Sequence, residues 1–241
     1  MFVESRRVSL ILLAGFLTLL AGHIAALVLW FGFGHDSCLG FVPFFNFDEE
    51  ANAPAWYSSF LLLLGAAVSA LAAVHCASGR RELVKYWLFL AFAFVFLSFD
   101  ETAQVHELLG RVQKYVLHSS IAGVSSFNWT VTYAALVLVF GLAYLNFLMK
   151  LQRAIALLLV GSGALYVAGA LGMEVVAATI AQIYRAAHPA SGNAFMVTQP
   201  YLLEVTIEET MEFLAEILFV YAVLKYLEVS GAKIEFTFGR S

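Results

Sequence analysis

Long apolar stretches alternate with short polar ones along the whole chain of 241 residues. A helix needs about 20 mostly apolar residues to cross the hydrocarbon core of a bilayer. Six stretches meet that length, at residues 8–33, 55–75, 83–105, 127–149, 155–184 and 201–227. The pattern predicts an all-α fold: a polytopic transmembrane helical bundle of six spans, forming a single integral membrane domain over residues 1–241.

Composition supports a membrane protein, because 62% of the residues are hydrophobic and only 12% are charged. Soluble domains carry about 25% charged residues. The net charge of −4 gives no reason to expect a nucleic-acid partner, and we expect no nucleotide cofactor. Cys38 and Cys76 fall at opposite ends of the second predicted span, so no disulfide is expected.

The first span is predicted to be retained rather than cleaved. Arg6 and Arg7 precede an apolar run, as in a signal peptide. However, the run over 8–33 is much longer than the roughly 7–15 apolar residues of a signal peptide.

The distribution of basic residues predicts the orientation. With six spans both termini lie on one side of the membrane, and that side carries ten of the 13 lysines and arginines. Basic residues favour cytoplasmic loops. We therefore expect the inner (cytoplasmic) membrane with both termini in the cytoplasm, and a lipid bilayer as the surroundings. The opposite, outer side then carries most of the acidic residues.

The third span ends in a polar segment, "SFDETAQVHELLGR", that follows an almost purely apolar run. On a continuous helix Asp100, Gln104 and Glu107 share one face, and Glu101 and His106 flank it. Such side chains could simply cap the helix in the headgroup region. They could also line a site at the outer edge of the hydrocarbon.

The fifth span contains one acid, Glu174, in an otherwise uncharged run. An ionisable residue within a membrane span is costly and is by default a functional hypothesis. Ala164, Ala168 and Gly172 repeat at four-residue spacing, which predicts close packing against another helix. The alternative is a protonated glutamic acid that forms a hydrogen bond between helices.

The sixth span gives the strongest signal, "EVTIEETMEFLAEILF". Its glutamates fall within an arc of roughly 140° of the helix surface, although like charges at this spacing repel. A helix start that protrudes into water would explain only the first of them. Metal ions or protons are therefore expected to compensate the others. These glutamates are Glu204, Glu208, Glu209, Glu212 and Glu216.

Carboxylates and histidine that project inward from several helices of a bundle form di-iron and di-manganese sites. Oxygen-rich ligand sets suit Fe, Mn, Mg or Ca. We therefore predict a divalent metal site, with Fe or Mn preferred. Its predicted ligands are Asp100, Glu101, His106, Glu107, Glu174, Glu208, Glu209 and Glu212. Supporting or proton-relay roles are predicted for Gln104, Glu204, Glu216 and His23.

Two segments, "SFDETAQVHE" and "EVTIEETMEFLAEILFVYAVL", resemble an uncharacterised group of small multi-pass bacterial membrane proteins. The shared form is an Asp-Glu…His-Glu element followed by Glu-Glu-x-x-Glu in the last helix. The resemblance covers the third and sixth spans and implies that the acids and His106 act as one set. It implies no activity.

Three functions fit this pattern. The leading prediction is a metal site for redox or hydrolytic chemistry on a lipid-soluble or periplasmic substrate, with no catalytic residue assigned. The second is a transporter coupled to protons or cations, which use chains of intramembrane acids. The third is an accessory subunit of a larger membrane complex. The loop "HDSCLGFVPFFNFDEE" is either a lid over the acids or a polar loop with aromatic anchors.

Overall fold

A computed structural model of the chain describes residues 4–105, 108, 128–190 and 192–232. Within these residues the structure is helical and contains no strand. The α-helices are α1 (Ser5–Leu27), α2 (Phe41–Phe45), α3 (Ala53–Ala77), α4 (Arg81–Ala103), α5 (Asn128–Lys150), α6 (Arg153–Val167), α7 (Glu174–Ala187) and α8 (Gln199–Val229). Two π-helical segments, Val28–Gly32 and Ala168–Met173, continue α1 and join α6 to α7.

Five of the six predicted spans correspond to helices that are long and apolar enough to cross a membrane. They are Ser5–Gly32, Ala53–Ala77, Arg81–Ala103, Tyr133–Lys150 and Arg153–Ala187. The sixth, within α8, is helical over 31 residues. It is not among the helices that qualify by length and composition in the described part of the chain, because its first half is rich in glutamate.

Helix boundaries follow from local chemistry. Asn52 caps α3 through its side-chain oxygen, which accepts a hydrogen bond from the Ala55 backbone N–H at 3.1 Å. Pro54 in the first turn has no N–H to leave unsatisfied. The helix α4 ends at Ala103, because its C-cap residue Gln104 has a left-handed φ of 52°. The prediction of one continuous helix as far as Val105 is therefore wrong at its last two residues, and the face assigned to Gln104 does not continue from Asp100.

The acidic helix α8 lies at the centre of the bundle. It packs against α1, α3, α6 and α7, while α3 and α4 form an extensively packed hairpin. Gly65 of α3 permits a close contact within this hairpin, because a Cβ at this position would meet the Phe94 ring at 2.7 Å. Phe94 stacks in turn on Phe219 of α8, with ring centroids 4.0 Å apart. Central packing explains why a helix with so many acids keeps so many buried residues.

The backbone of the fifth span comes close to α8 at Gly169, in the π-helical segment. A Cβ there would lie 3.0 Å from Cγ of Glu212 and 3.2 Å from the backbone oxygen of Glu208. The predicted contact stripe of Ala164, Ala168 and Gly172 is wrong, because all three are exposed. The buried positions are instead Ile155, Leu159, Ser162 and Gly169, which form another face of the same helix.

Candidate functional site

Acidic side chains from four parts of the chain converge around the first half of α8. For description we divide them into two adjoining groups, which Glu208 links because it is an electrostatic neighbour of both Glu209 and Glu212. The first acidic group comprises Asp48, Glu174, Glu204 and Glu208. The second acidic group comprises Glu101, Glu209, Glu212 and Glu216.

The first acidic group is closed by the loop between α1 and α3. Asp48 accepts a hydrogen bond from the Tyr201 hydroxyl at 3.0 Å. It is also an electrostatic neighbour of Glu204 and Glu208. Burial raises the pKa of the Asp48 carboxyl to about 6, from an ordinary 3.8. The Tyr201 hydrogen bond opposes that rise, and the neighbouring acids Glu49 and Glu50 add to it. The loop therefore contributes an acid to the site, as the lid interpretation expected.

Glu174 and the α8 glutamates meet because of the π-helical segment. Glu174 is the first residue after that segment, and it lies in the electrostatic surroundings of both Glu204 and Glu208. Glu204 is 3% exposed, which places its carboxyl inside the bundle. The fifth and sixth predicted spans thus bring their acids together.

The second acidic group joins α4 to α8. Glu101 lies near Glu209, Glu212 and Glu216. The Tyr166 hydroxyl of α6 lies beside the Glu212 carboxyl. Three helices therefore surround this group, and the middle of α8 supplies most of its carboxyls.

Glu216 is the deepest acid of the site. It is 2% exposed, and Ser58 of α3 donates a hydrogen bond to its Oε1 at 3.1 Å. Its Oε2 is buried and has no hydrogen-bond partner among the described residues. At 1.5 Å per residue it lies about 18 Å further along α8 than Glu204. The acids therefore reach well inside the bundle.

The two acids in the last turn of α4 have different neighbours. Asp100 is 7% exposed and interacts with the Tyr133 hydroxyl of α5, whereas Glu101 points to the α8 glutamates. Gln104 ends the helix with its backbone N–H bonded to the Asp100 oxygen at 2.8 Å. His106 and Glu107, two predicted ligands, lie outside the described residues.

His23 belongs to a structural network on another side of α8. Its Nδ1 accepts a hydrogen bond from the Phe47 N–H at 3.2 Å, which leaves Nε2 to donate to Thr206 Oγ1 at 2.9 Å. The Thr206 hydroxyl in turn donates a hydrogen bond to the Leu202 backbone carbonyl at 2.6 Å. The ring also stacks on Phe47 at 4.1 Å. Both nitrogens are used, so His23 fixes the loop between α1 and α3 against α8.

Three basic residues of the described chain form ion pairs away from these acids. Arg7, Arg80 and Lys225 form their ion pairs at the opposite end of the bundle. Arg185, at the acidic end, bonds to Asn193 at 3.1 Å and lies 5.0 Å from the Phe195 ring centroid. These contacts of Arg185 are with the segment that connects α7 to α8.

The spacing of the acids is wider than a preformed metal site requires. Among residues 4–105, 108, 128–190 and 192–232, no group of three His, Cys, Asp or Glu side chains is arranged to hold one metal ion. The donor chemistry nevertheless suits a hard cation, since the groups are carboxylates with one unsatisfied buried oxygen on Glu216. In the described structure the acids thus form an extended cluster.

The acids also stop halfway through the bundle. After Glu216 the buried side chains of α8 are apolar until Tyr226. Tyr226 contacts Cys76, with its hydroxyl 3.0 Å from Sγ. Packed hydrocarbon therefore separates the acids from the end of the bundle that contains Tyr226.

Sequence reasoning did not assign four contributors: Asp48, Tyr201, Tyr166 and Ser58. Asp48 gave a partial signal, because it lies in the loop considered as a lid. The two tyrosines and the serine gave none, since their roles depend on which helices become neighbours.

The fold and the cluster define a helical bundle of membrane type with an acid-lined interior at one end. The chain belongs to the family described as "Domain of unknown function (DUF8692)", whose profile matches residues 10–227. No curated protein and no solved structure shows significant similarity to the chain.

Proposed function

We propose that this protein binds a divalent metal ion, Fe or Mn, in the second acidic group, in the outer half of a membrane-embedded bundle. The observation that carries the proposal is the approach of Glu101 from α4 to Glu209 and Glu212 on α8. Such crowding in a low-dielectric interior needs a compensating positive charge. On α8, Glu209, Glu212 and Glu216 form no ion pair with a lysine or arginine of the described residues.

The chemistry follows from the position of the cluster. Hydrocarbon packing beyond Glu216 separates the cluster from the opposite end of the bundle, so we expect a ligand to enter from the acidic end. A metal ion bound there would supply redox chemistry or activate water for hydrolysis. The substrate class is a lipid-soluble or periplasmic molecule. His106 and Glu107 complete the proposed ligand set on sequence grounds alone.

The placement in the membrane is part of the proposal. We infer that α8 is a sixth membrane-embedded helix, shielded from lipid by the helices around it, in the inner membrane. Both termini would be cytoplasmic, since ten of the 13 basic residues lie on that side of the predicted topology. Reporter fusions at the two termini and in the loop around Asp36 test this orientation. A cytoplasmic signal from the loop would reverse it.

Metal analysis of the protein purified in detergent is the decisive experiment. We expect near-stoichiometric Fe or Mn after growth with supplementation, and a large loss in Glu101→Gln and Glu212→Gln. Glu82→Gln serves as the matched control, because Glu82 lies at the other end of the bundle and pairs with Arg80. Metal retained equally in all variants would place the ion elsewhere. Metal absent from the wild type would refute the proposal.

A second function is favoured by Glu216, which is buried beside a hydroxyl and no cation. Such a carboxyl holds a proton readily, and a chain of such groups suits transport coupled to protons or cations. Flux in proteoliposomes, lost in Glu216→Gln while no metal is found, would establish this alternative. Purification only together with another protein would instead support an accessory subunit of a membrane complex.

A further inference from the structure

A groove opens between α4 and α5 at the end of the bundle opposite the acids. Its volume is about 510 Å³. We call it the basic groove. Its lining residues are Arg81, Glu82, Val84, Lys85, Tyr86, Leu88, Asn146 and Lys150.

The charge of the basic groove is positive. Arg81, Lys85 and Lys150 supply three cations, and all three are exposed. The single acid, Glu82, is paired at 3.5 Å with Arg80, which lies outside the groove. Glu82 is thus partly neutralised from outside, and the three cations can face an anion.

The walls of the groove are firmly connected. Tyr144 of α5 donates its hydroxyl hydrogen to the Tyr86 carbonyl of α4 at 2.8 Å. Trp87 and Phe147 meet edge to face, with centroids 5.0 Å apart. At the mouth, Arg80 donates to the Lys150 carbonyl at 2.7 Å. The groove is therefore built between two helices rather than formed by loose surface side chains.

The groove continues into an apolar surface. Leu88 lines the groove, and the exposed residues Phe89 and Phe92 follow it along α4. On α5 the exposed residues Leu142 and Leu145 run in parallel. An anionic head group at the helix ends, with hydrocarbon tails along the helices, matches this order of charge and apolar surface.

We propose that the basic groove binds an anionic phospholipid, with its phosphate between Lys85 and Lys150 and its acyl chains along α4 and α5. Basic pockets between membrane helices recognise anionic lipid head groups through such charges. The Asn146 amide, which also lines the groove, can donate to a phosphate oxygen. This site is independent of the acidic cluster and of the metal proposal.

Titration of the purified protein with phosphatidylglycerol, phosphatidylcholine or inorganic phosphate in micelles tests the site. The readouts are thermal stabilisation and the number of lipids retained in native mass spectrometry. The groove variant is Lys85→Gln with Lys150→Gln. The control is Arg6→Gln with Arg153→Gln, which removes two exposed charges at the same end of the bundle but outside the groove.

We expect phosphatidylglycerol to stabilise the wild type and the control, and to act on the groove variant only at roughly tenfold higher concentration. Phosphatidylcholine should have little effect. Equal responses of the groove and control variants would refute the site. Stabilisation by inorganic phosphate as strong as by phosphatidylglycerol would refute a lipid ligand. If the groove variant does not fold, Arg81→Gln alone should show the same selective weakening.

Discussion

The Ser58 hydroxyl of α3 donates to the Glu216 carboxyl of α8 at 3.1 Å, inside the bundle. The two residues are 158 positions apart in the chain. Their contact joins the second span to the deepest acid of the cluster, and it is the one hydrogen bond of that carboxyl among the described residues. The stability of the buried acid therefore depends on this serine.

Ser58→Ala should lower the free energy of unfolding by about 1–3 kcal/mol, because it leaves a buried polar group unsatisfied. Glu216→Gln should be tolerated, since the amide oxygen still accepts from Ser58 and the group carries no charge. Thermal unfolding in detergent measures both effects.

The control for this pair is Ser9→Ala, which removes a hydroxyl that bonds only to the backbone oxygen of Ser5 in its own helix. It should change stability much less. A loss with Ser58→Ala that persists undiminished in the Glu216→Leu background would show that the two residues are not coupled.

The close approach at Gly169 gives a second prediction. Gly169→Ala places a methyl group 3.0 Å from Glu212 Cγ and 3.2 Å from a backbone oxygen, so helices must move apart. We expect a loss of about 1–3 kcal/mol from overpacking. The same variant should alter metal or proton binding, because Glu212 is displaced.

Gly172→Ala is the matched control for Gly169→Ala. A Cβ at Gly172 meets no atom within 4 Å, and alanine is the better helix former by up to about 1 kcal/mol. Unfolding temperatures of the two variants should therefore change in opposite directions or differ clearly in size. Equal losses at both positions would contradict the described contact.

Asp48 predicts a pH dependence of stability. Its pKa is raised by burial to about 6 from 3.8, so the folded protein binds the proton more tightly than the unfolded chain. The stabilising contribution is complete below about pH 4, falls as the pH rises towards 6, and stays constant above that value.

Asp48→Asn, which imitates the protonated acid and keeps an oxygen for Tyr201, should remove this dependence. The measurement is the unfolding temperature of both proteins between pH 4 and 8. Asp36→Asn, an exposed acid in the same loop, should leave the profile of the wild type unchanged. A parallel profile for wild type and Asp48→Asn would exclude Asp48 as the titrating group.

The sequence predicted the helices well because apolar length alone determines which segments can cross a bilayer. It also predicted that Glu101, Glu174 and the α8 glutamates lie near one another, because an ionisable side chain in a membrane span is costly in contact with lipid and faces the interior of the bundle. It was wrong at two places. The left-handed Gln104 ends α4 early, and Gly169, not Gly172, lies against α8, because several faces of an apolar helix offer small residues and packing selects among them.

By itself, then, the sequence determined the membrane class, the helical content and the acids, because these depend on the composition of single segments. Only the tertiary structure decided that Ser58 bonds to Glu216 and Tyr166 lies beside Glu212, that Asp48 joins the first group, and that His23 supports a loop. These facts depend on which helices become neighbours. Neighbour choice results from side-chain packing between distant segments, which no local pattern encodes.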